Sequence, residues 1–229
     1  DTYTVSDTLS LHDALPISSM RVKSTFSKYS GMRNHMGLTG AQAAERVLHG
    51  AGIYDVRIER VAGNLTDHYD PRNKVLRLSD ATYGQCSVAA VGVAAHECGH
   101  AIQHARGYAP LQFRSALVPV ANFGSMIAWP LIVLGLFINS QSSALLINIG
   151  ILAFSLAVLF QLVTLPVEYN ASGRAVRILA ETGMMQGEEI VATKKVLNAA
   201  ALTYVASAAA AILQLVRILI LTGGRRRDD

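Results

Sequence analysis

Cysteine is scarce, with only Cys86 and Cys98 in 229 residues. Two thiols cannot supply a disulfide framework or a cysteine-rich metal site, so both read as free thiols with a packing role. Charge is scarcer still in one place: from Ser115 to Val167 there is no Asp, Glu, Lys or Arg. That run excludes a solvated surface segment and is long enough for two bilayer crossings of about 20 residues each. A second uncharged run, Asn198 to Val216, continues through Arg217 to Thr222. That arginine sits close enough to the end to snorkel to the interface. Long basic tracts are missing too. The 20 Lys and Arg exceed the 16 Asp and Glu, but they are scattered except for Arg225-Arg226-Arg227 directly after the last apolar run. This is the pattern of a membrane flank, so a lipid bilayer is the expected partner and nucleic acid is not.

What is present is His96-Glu97-Cys98-Gly99-His100, an HExxH pattern. On a helix, residues four apart share a face with Cβ atoms about 5–6 Å apart, so both imidazoles can reach one zinc ion. Glu97 then lies beside the metal, where it can take a proton from a water acidified by the ion. A buried amphipathic helix with hydrogen-bonded histidines would show the same five letters. The flanks favour ligation: Ser87 can cap the helix, and Val88 to Ala95 is small and apolar, as expected of a helix sunk in a core before it presents ligands. His104 continues the ladder about 12 Å along the axis from His96, too far to share one zinc.

Residues 1–19 fit neither a signal peptide nor a span, because Asp1, Asp7 and Asp13 interrupt a polar stretch. They are expected to be a non-native or disordered leader. Leu38 to His49 reads as a helix with Thr39 and Gln42 at capping-box spacing. Tyr54 to Val61 alternates as a half-buried strand, and Leu65 to Asp70 and Lys74 to Leu78 follow as two short strands. The metal helix should end near Gly107. Crossings are placed near Leu117 to Ile138, kinked at Pro130, and near Ala144 to Leu165. The connection from Asn139 to Ser143 between them is a tight hairpin, so the chain returns to the side it left.

A hydrolytic zinc site usually takes three protein ligands. Glu168 is the candidate for the third, since it ends the uncharged stretch in Pro166 to Ala175, where a helix resumes. A carboxylate at a span end is also a common interfacial residue. His68, Tyr69 and Arg174 are candidates for a second donor to the transition-state oxygen, and the strand from Leu65 to Tyr69 for pairing with an extended peptide.

Several separated stretches carry a family resemblance: Val22 to Ser30, Leu65-Thr-Asp-His-Tyr-Asp-Pro71, Ala94 to Gln103, Leu117 to Gly124 and Leu165-Pro-Val-Glu-Tyr-Asn-Ala-Ser172. Over residues 20 to 229 the chain resembles the YugP-type neutral zinc metallopeptidases of bacterial membranes. The resemblance implies zinc on His96, His100 and Glu168, with Glu97 as general base. More distantly, Glu168 to Ser172 is similar to the Glu-aromatic-x-Ala-Asp segment of the HtpX and CAAX-prenyl protease group. Ser172 stands where that group has an Asp that would orient a ligand histidine. The family also implies a span just before Val22, where this chain is polar.

The fold expected is a mainly α membrane protein: transmembrane helices plus a small α+β zincin-like catalytic domain with a short β-sheet and the HExxH helix. Its expected divisions are the leader (1–19), a catalytic part (20–114), a two-helix transmembrane hairpin (115–167), a third-ligand helical segment (168–197), a C-terminal transmembrane helix (198–224) and a charged tail (225–229). The function expected is a zinc-dependent endopeptidase acting on membrane or membrane-proximal proteins. The rival classes are a catalytically silent scaffold, against which Glu97 argues, and a metal sensor, for which soft ligands are lacking. Arg106, Arg114, Arg174, Arg177, Lys194 and Lys195 flank the spans, while the 139–143 connection has no charge. By the positive-inside bias this predicts a multi-pass protein of the bacterial inner membrane with a cytoplasmic site, although the terminal arginines pull the other way.

Overall fold

The structure is a computed structural model that describes residues 11–138 and 142–223. The first ten residues of the expected leader, most of the 139–143 connection and the 225–229 tail lie outside the described residues. The elements are α1 (Leu11–Ser30), α2 (Gly40–Gly50), β1 (Arg57–Val61), β2 (His68–Asp70), β3 (Val75–Ser79), α3 (Val88–Ala105), α4 (Ala109–Phe137), α5 (Ser142–Glu181) and α6 (Glu188–Gly223). The protein is therefore mainly helical with a small α+β part, and α4, α5 and α6 are each long and apolar enough to cross a membrane. Residues 11–19, assigned to the leader from sequence, lie in α1, which also accommodates Pro16.

Two compact units divide the chain. One comprises Pro16–Leu111 and Pro166–Thr203. Its three-stranded sheet has the order β1-β3-β2, with β3 parallel to β1 and antiparallel to β2. The central strand is the apolar one: Val75, Leu76 and Leu78 are fully buried. Val47 and Leu48 of α2, and Val88, Val91, Cys98 and Ile102 of α3, join Leu76 and Leu78 in one core. Local sequence sets the helix starts. Thr39 Oγ1 accepts from the Gln42 N–H at 3.2 Å while Gln42 Oε1 accepts from the Thr39 N–H at 3.0 Å, a complete capping box. Ser87 Oγ accepts from the Ala90 N–H at 3.1 Å at the head of α3. Gly107, with φ +61°, ends that helix in the left-handed conformation favoured by glycine.

Small residues on α3 let its neighbours come close. A Cβ added at Gly99 would stand 2.6 Å from the Ala171 carbonyl oxygen of α5, and one at Gly92 would stand 3.0 Å from Thr193 Cγ2 of α6. The Gly99 contact is with backbone, which cannot swing aside. Gly99→Ala is expected to destabilise this unit by about 1–3 kcal/mol, as overpacking does. Thermal unfolding of the purified protein measures it, and an unchanged midpoint would show that α3 and α5 separate without cost.

The other unit contains Gln112–Leu165 and the chain from Tyr204 on. Here α4 and α5 approach through glycines. A Cβ at Gly124 would meet the Ala153 carbonyl oxygen at 2.7 Å, and one at Gly150 the Ala128 carbonyl oxygen at 2.9 Å. In lipid, where apolar surface gains little by burial, such close backbone approach supplies the packing attraction. Phe137, Leu152, Met126 and Ile220 are exposed, as befits side chains facing hydrocarbon. One expectation fails. The sequence predicts a helix resuming after Pro166, but α5 is continuous through Pro166 and α4 holds both Pro119 and Pro130. A proline removes one backbone hydrogen bond, and a long helix with neighbours tolerates that loss.

Candidate metal centre

His96 and His100 project from one face of α3, with ring centroids 4.8 Å apart and planes at 86°. The Gly99 to Ala171 contact brings α5 against that face, so Glu168 and Ser172, themselves four apart, lie opposite the two histidines. One atom from each of His96, His100 and Glu168 falls within 4.8 Å of the others. Glu168 Oε2 is 3.3 Å from His96 Nε2 and 3.5 Å from His100 Nε2. Those separations are long for hydrogen bonds. They match the edge of a tetrahedron with zinc–ligand bonds of about 2.0–2.2 Å, which is roughly 3.4 Å.

The other nitrogen of each ring is already engaged. His96 Nδ1 lies 3.0 Å from Ser172 Oγ, and His100 Nδ1 lies 3.0 Å from Gln103 Oε1. With Nδ1–H donating to an oxygen, each Nε2 keeps its lone pair for a metal. Two neutral imidazoles and one carboxylate turned to a common point form a donor set that fits Zn²⁺. Glu168 and Gln103 are buried, at 2% and 0% exposure, so the set is shielded from exchange with water on that side. For His100, burial disfavours the protonated form, but the neighbouring Glu168 carboxylate and the charge of Glu97 outweigh it and raise its pKa.

Glu97 points to the sheet, where its Oε2 accepts the Tyr69 backbone N–H at 3.1 Å. Tyr69 belongs to β2, an edge strand. Acidic residues hold that edge in place. Asp67 accepts from Ser79 N–H and Oγ at 2.8 and 2.9 Å, and Asp70 accepts from the Arg72 and Asn73 N–H groups and from Arg77 Nη1. The Asp70 carboxyl is held well below the usual carboxylate range, first by the Asn73 amide.

The candidate oxyanion donors have separate partners. Arg77 donates to His68 Nε2 at 3.4 Å, and the His68 Nδ1 is 2.9 Å from the Thr66 carbonyl oxygen. The Tyr69 hydroxyl is 2.9 Å from His104 Nδ1, so His104 braces β2 against α3. Burial first, then Asp55 and Asp70, push the Tyr69 phenol up to about 12, and it stays protonated at neutral pH. Arg174 Nε donates to Asn170 Oδ1 at 2.7 Å. Burial likewise pushes the Cys98 thiol up, which leaves it an inert packing group inside the motif.

Sequence reasoning missed Gln103. Its Nε2 donates to the Val167 carbonyl oxygen at 2.9 Å and to Asn170 Oδ1 at 3.0 Å, tying His100 to α5. A glutamine three residues after His100, on the same helix face, was the available signal.

Known proteins resemble this chain along most of its length. A family profile described as "Putative neutral zinc metallopeptidase" matches residues 12–223. The "Putative membrane protease YugP" of Bacillus subtilis (strain 168) is 47% identical over 206 residues, covering 90% of this chain and 90% of that protein. No solved structure matches the chain. By the extent of that match the chain belongs to the neutral zinc metallopeptidases, and it is a membrane protease that uses Zn²⁺.

Proposed function

We propose that His96, His100 and Glu168 hold the zinc ion and that Glu97 is the general base of an endopeptidase reaction. The observation that carries this reading is the convergence of three donor atoms within 4.8 Å, with both Nδ1 atoms engaged elsewhere. When bound, zinc supplies Lewis-acid chemistry, acidifying a water and polarising the scissile carbonyl. Glu97 accepts the proton of the attacking water as its oxygen bonds to the carbonyl carbon. It then returns that proton to the amide nitrogen as the carbon–nitrogen bond breaks. The Tyr69 N–H fixes the carboxylate for both transfers. Ser172 and Gln103 keep the two rings in the ligating tautomer.

The outer edge of β2 is suited to an extended peptide, which would pair its main chain there with loose sequence choice. That supports protein or peptide substrates held beside Glu97. The uncharged segments favour substrates in or close to the bilayer. The basic residues Arg106, Arg114, Arg174, Arg177, Lys194 and Lys195 favour the inner membrane of a bacterium with the site on the cytoplasmic side. Metal removal tests the reading. Protein stripped with a chelator in detergent is expected to lose cleavage of casein and to regain it with one equivalent of zinc. A metal-free preparation that still cuts would overturn it.

A further inference from the structure

Four arginines from three elements line one cavity of the α+β unit: Arg46 of α2, Arg106 at the end of α3, and Arg174 and Arg177 of α5. Its volume is about 340 Å³, within the range of roughly 300–1,000 Å³ common for ligand pockets. Glu181 is the carboxylate in its lining. Arg174 is held by Asn170 and lies 5.8 Å from the centre of the Tyr108 ring. The guanidinium groups of Arg46, Arg106 and Arg177 make no hydrogen bond or ion pair with any described residue. Cations are gathered here without the counter-charges that elsewhere accompany Arg60 and Arg77.

Helix ends explain part of the gathering. α2, α3 and α5 all finish at this cavity, and each carboxyl terminus carries about half a negative charge. Together with Glu181 these offset about 2.5 of the four positive charges, so a cationic excess remains. Guanidinium forks suit phosphate oxygens in particular, because each can donate two parallel hydrogen bonds. Position along the chain indicates the source. Arg174 and Arg177 follow Val167 in one continuous helix by about 10 and 15 Å at 1.5 Å per residue. Arginine stems are long enough to reach back from there toward a headgroup layer beside Val167.

We propose that this cavity binds a phosphate group, presented by the headgroup of an anionic phospholipid. The zinc-loaded full chain in detergent is titrated with short-chain phosphatidylglycerol, phosphatidylcholine and glycerol phosphate, and binding is read as a shift in thermal unfolding. Arg174 is left intact because Asn170 links it to Gln103 and so to His100. Phosphatidylglycerol is expected to shift the parent. The double variant Arg46→Gln/Arg177→Gln should need at least about tenfold more lipid for the same shift. A control pair, Arg57→Gln/Arg72→Gln, removes equal charge from exposed positions outside the cavity and should respond like the parent. Equal responses in the two double variants, or a phosphatidylcholine response matching that of phosphatidylglycerol, would overturn the proposal. A shift with glycerol phosphate at the same concentration upholds the phosphate site with a soluble source, and a shift with lipid alone upholds it with a bilayer source.

Discussion

Replacement of Glu97 by glutamine is expected to reduce peptide cleavage by about 10²–10⁴-fold while zinc stays bound. Glutamine keeps the length of the side chain and an oxygen able to accept the Tyr69 N–H, so the local geometry survives. What it loses is the capacity to take a proton from water. None of the three donor atoms proposed to hold the ion belongs to Glu97, so metal content should not follow activity. The two measurements are made on one preparation: zinc by elemental analysis, and cleavage of casein or of the chain itself in detergent. Retained cleavage in the variant would remove Glu97 from proton transfer. Loss of zinc together with activity would reassign it to the metal.

Glu168→Ala is expected to release the metal. Glu168 is the carboxylate of the proposed donor set and sits 2% exposed beside two imidazoles, so its removal would leave two neutral donors. Gln103→Leu provides a graded comparison, because it removes the acceptor of His100 Nδ1–H and leaves the three donor atoms in place. Loss of such a supporting hydrogen bond costs typically 10–100-fold in metal affinity. The expected order of zinc retention against a competing chelator is parent, Gln103→Leu, then Glu168→Ala. If Glu168→Ala held zinc as well as the parent, the third ligand would have to be sought elsewhere. A Gln103→Leu variant equal to the parent would restrict Gln103 to packing.

Local signals in this chain were legible to different depths. Helix starts were read closely, since a cap depends on residues three apart: Thr39 with Gln42, and Ser87 with the Ala90 N–H. The strands were found but drawn too long at their outer ends, with β1 beginning at Arg57 and β2 at His68. Alternation of apolar residues continues past the point where a ladder partner exists, and only the partner ends a strand. The continuity of α5 through Pro166 was not legible, because the proline signal is local and a long helix with packed neighbours tolerates the missing bond. Gln103 was overlooked for a similar reason. Its chemistry lies in what Val167, Asn170 and His100 offer it, and only His100 is near in sequence.

The sequence by itself determined that this is a helical membrane protein and that two imidazoles with a carboxylate between them share one helical turn. Both follow from short-range regularities, the length of an uncharged run and the 3.6-residue period. The tertiary structure decided which carboxylate faces those imidazoles, which oxygens hold their far nitrogens, and that an edge strand meets Glu97. The choice of facing carboxylate depends on the depth to which α5 can settle against α3. That depth is set by the missing Cβ of Gly99 against the backbone of Ala171, a contact between residues 72 positions apart that no local pattern encodes.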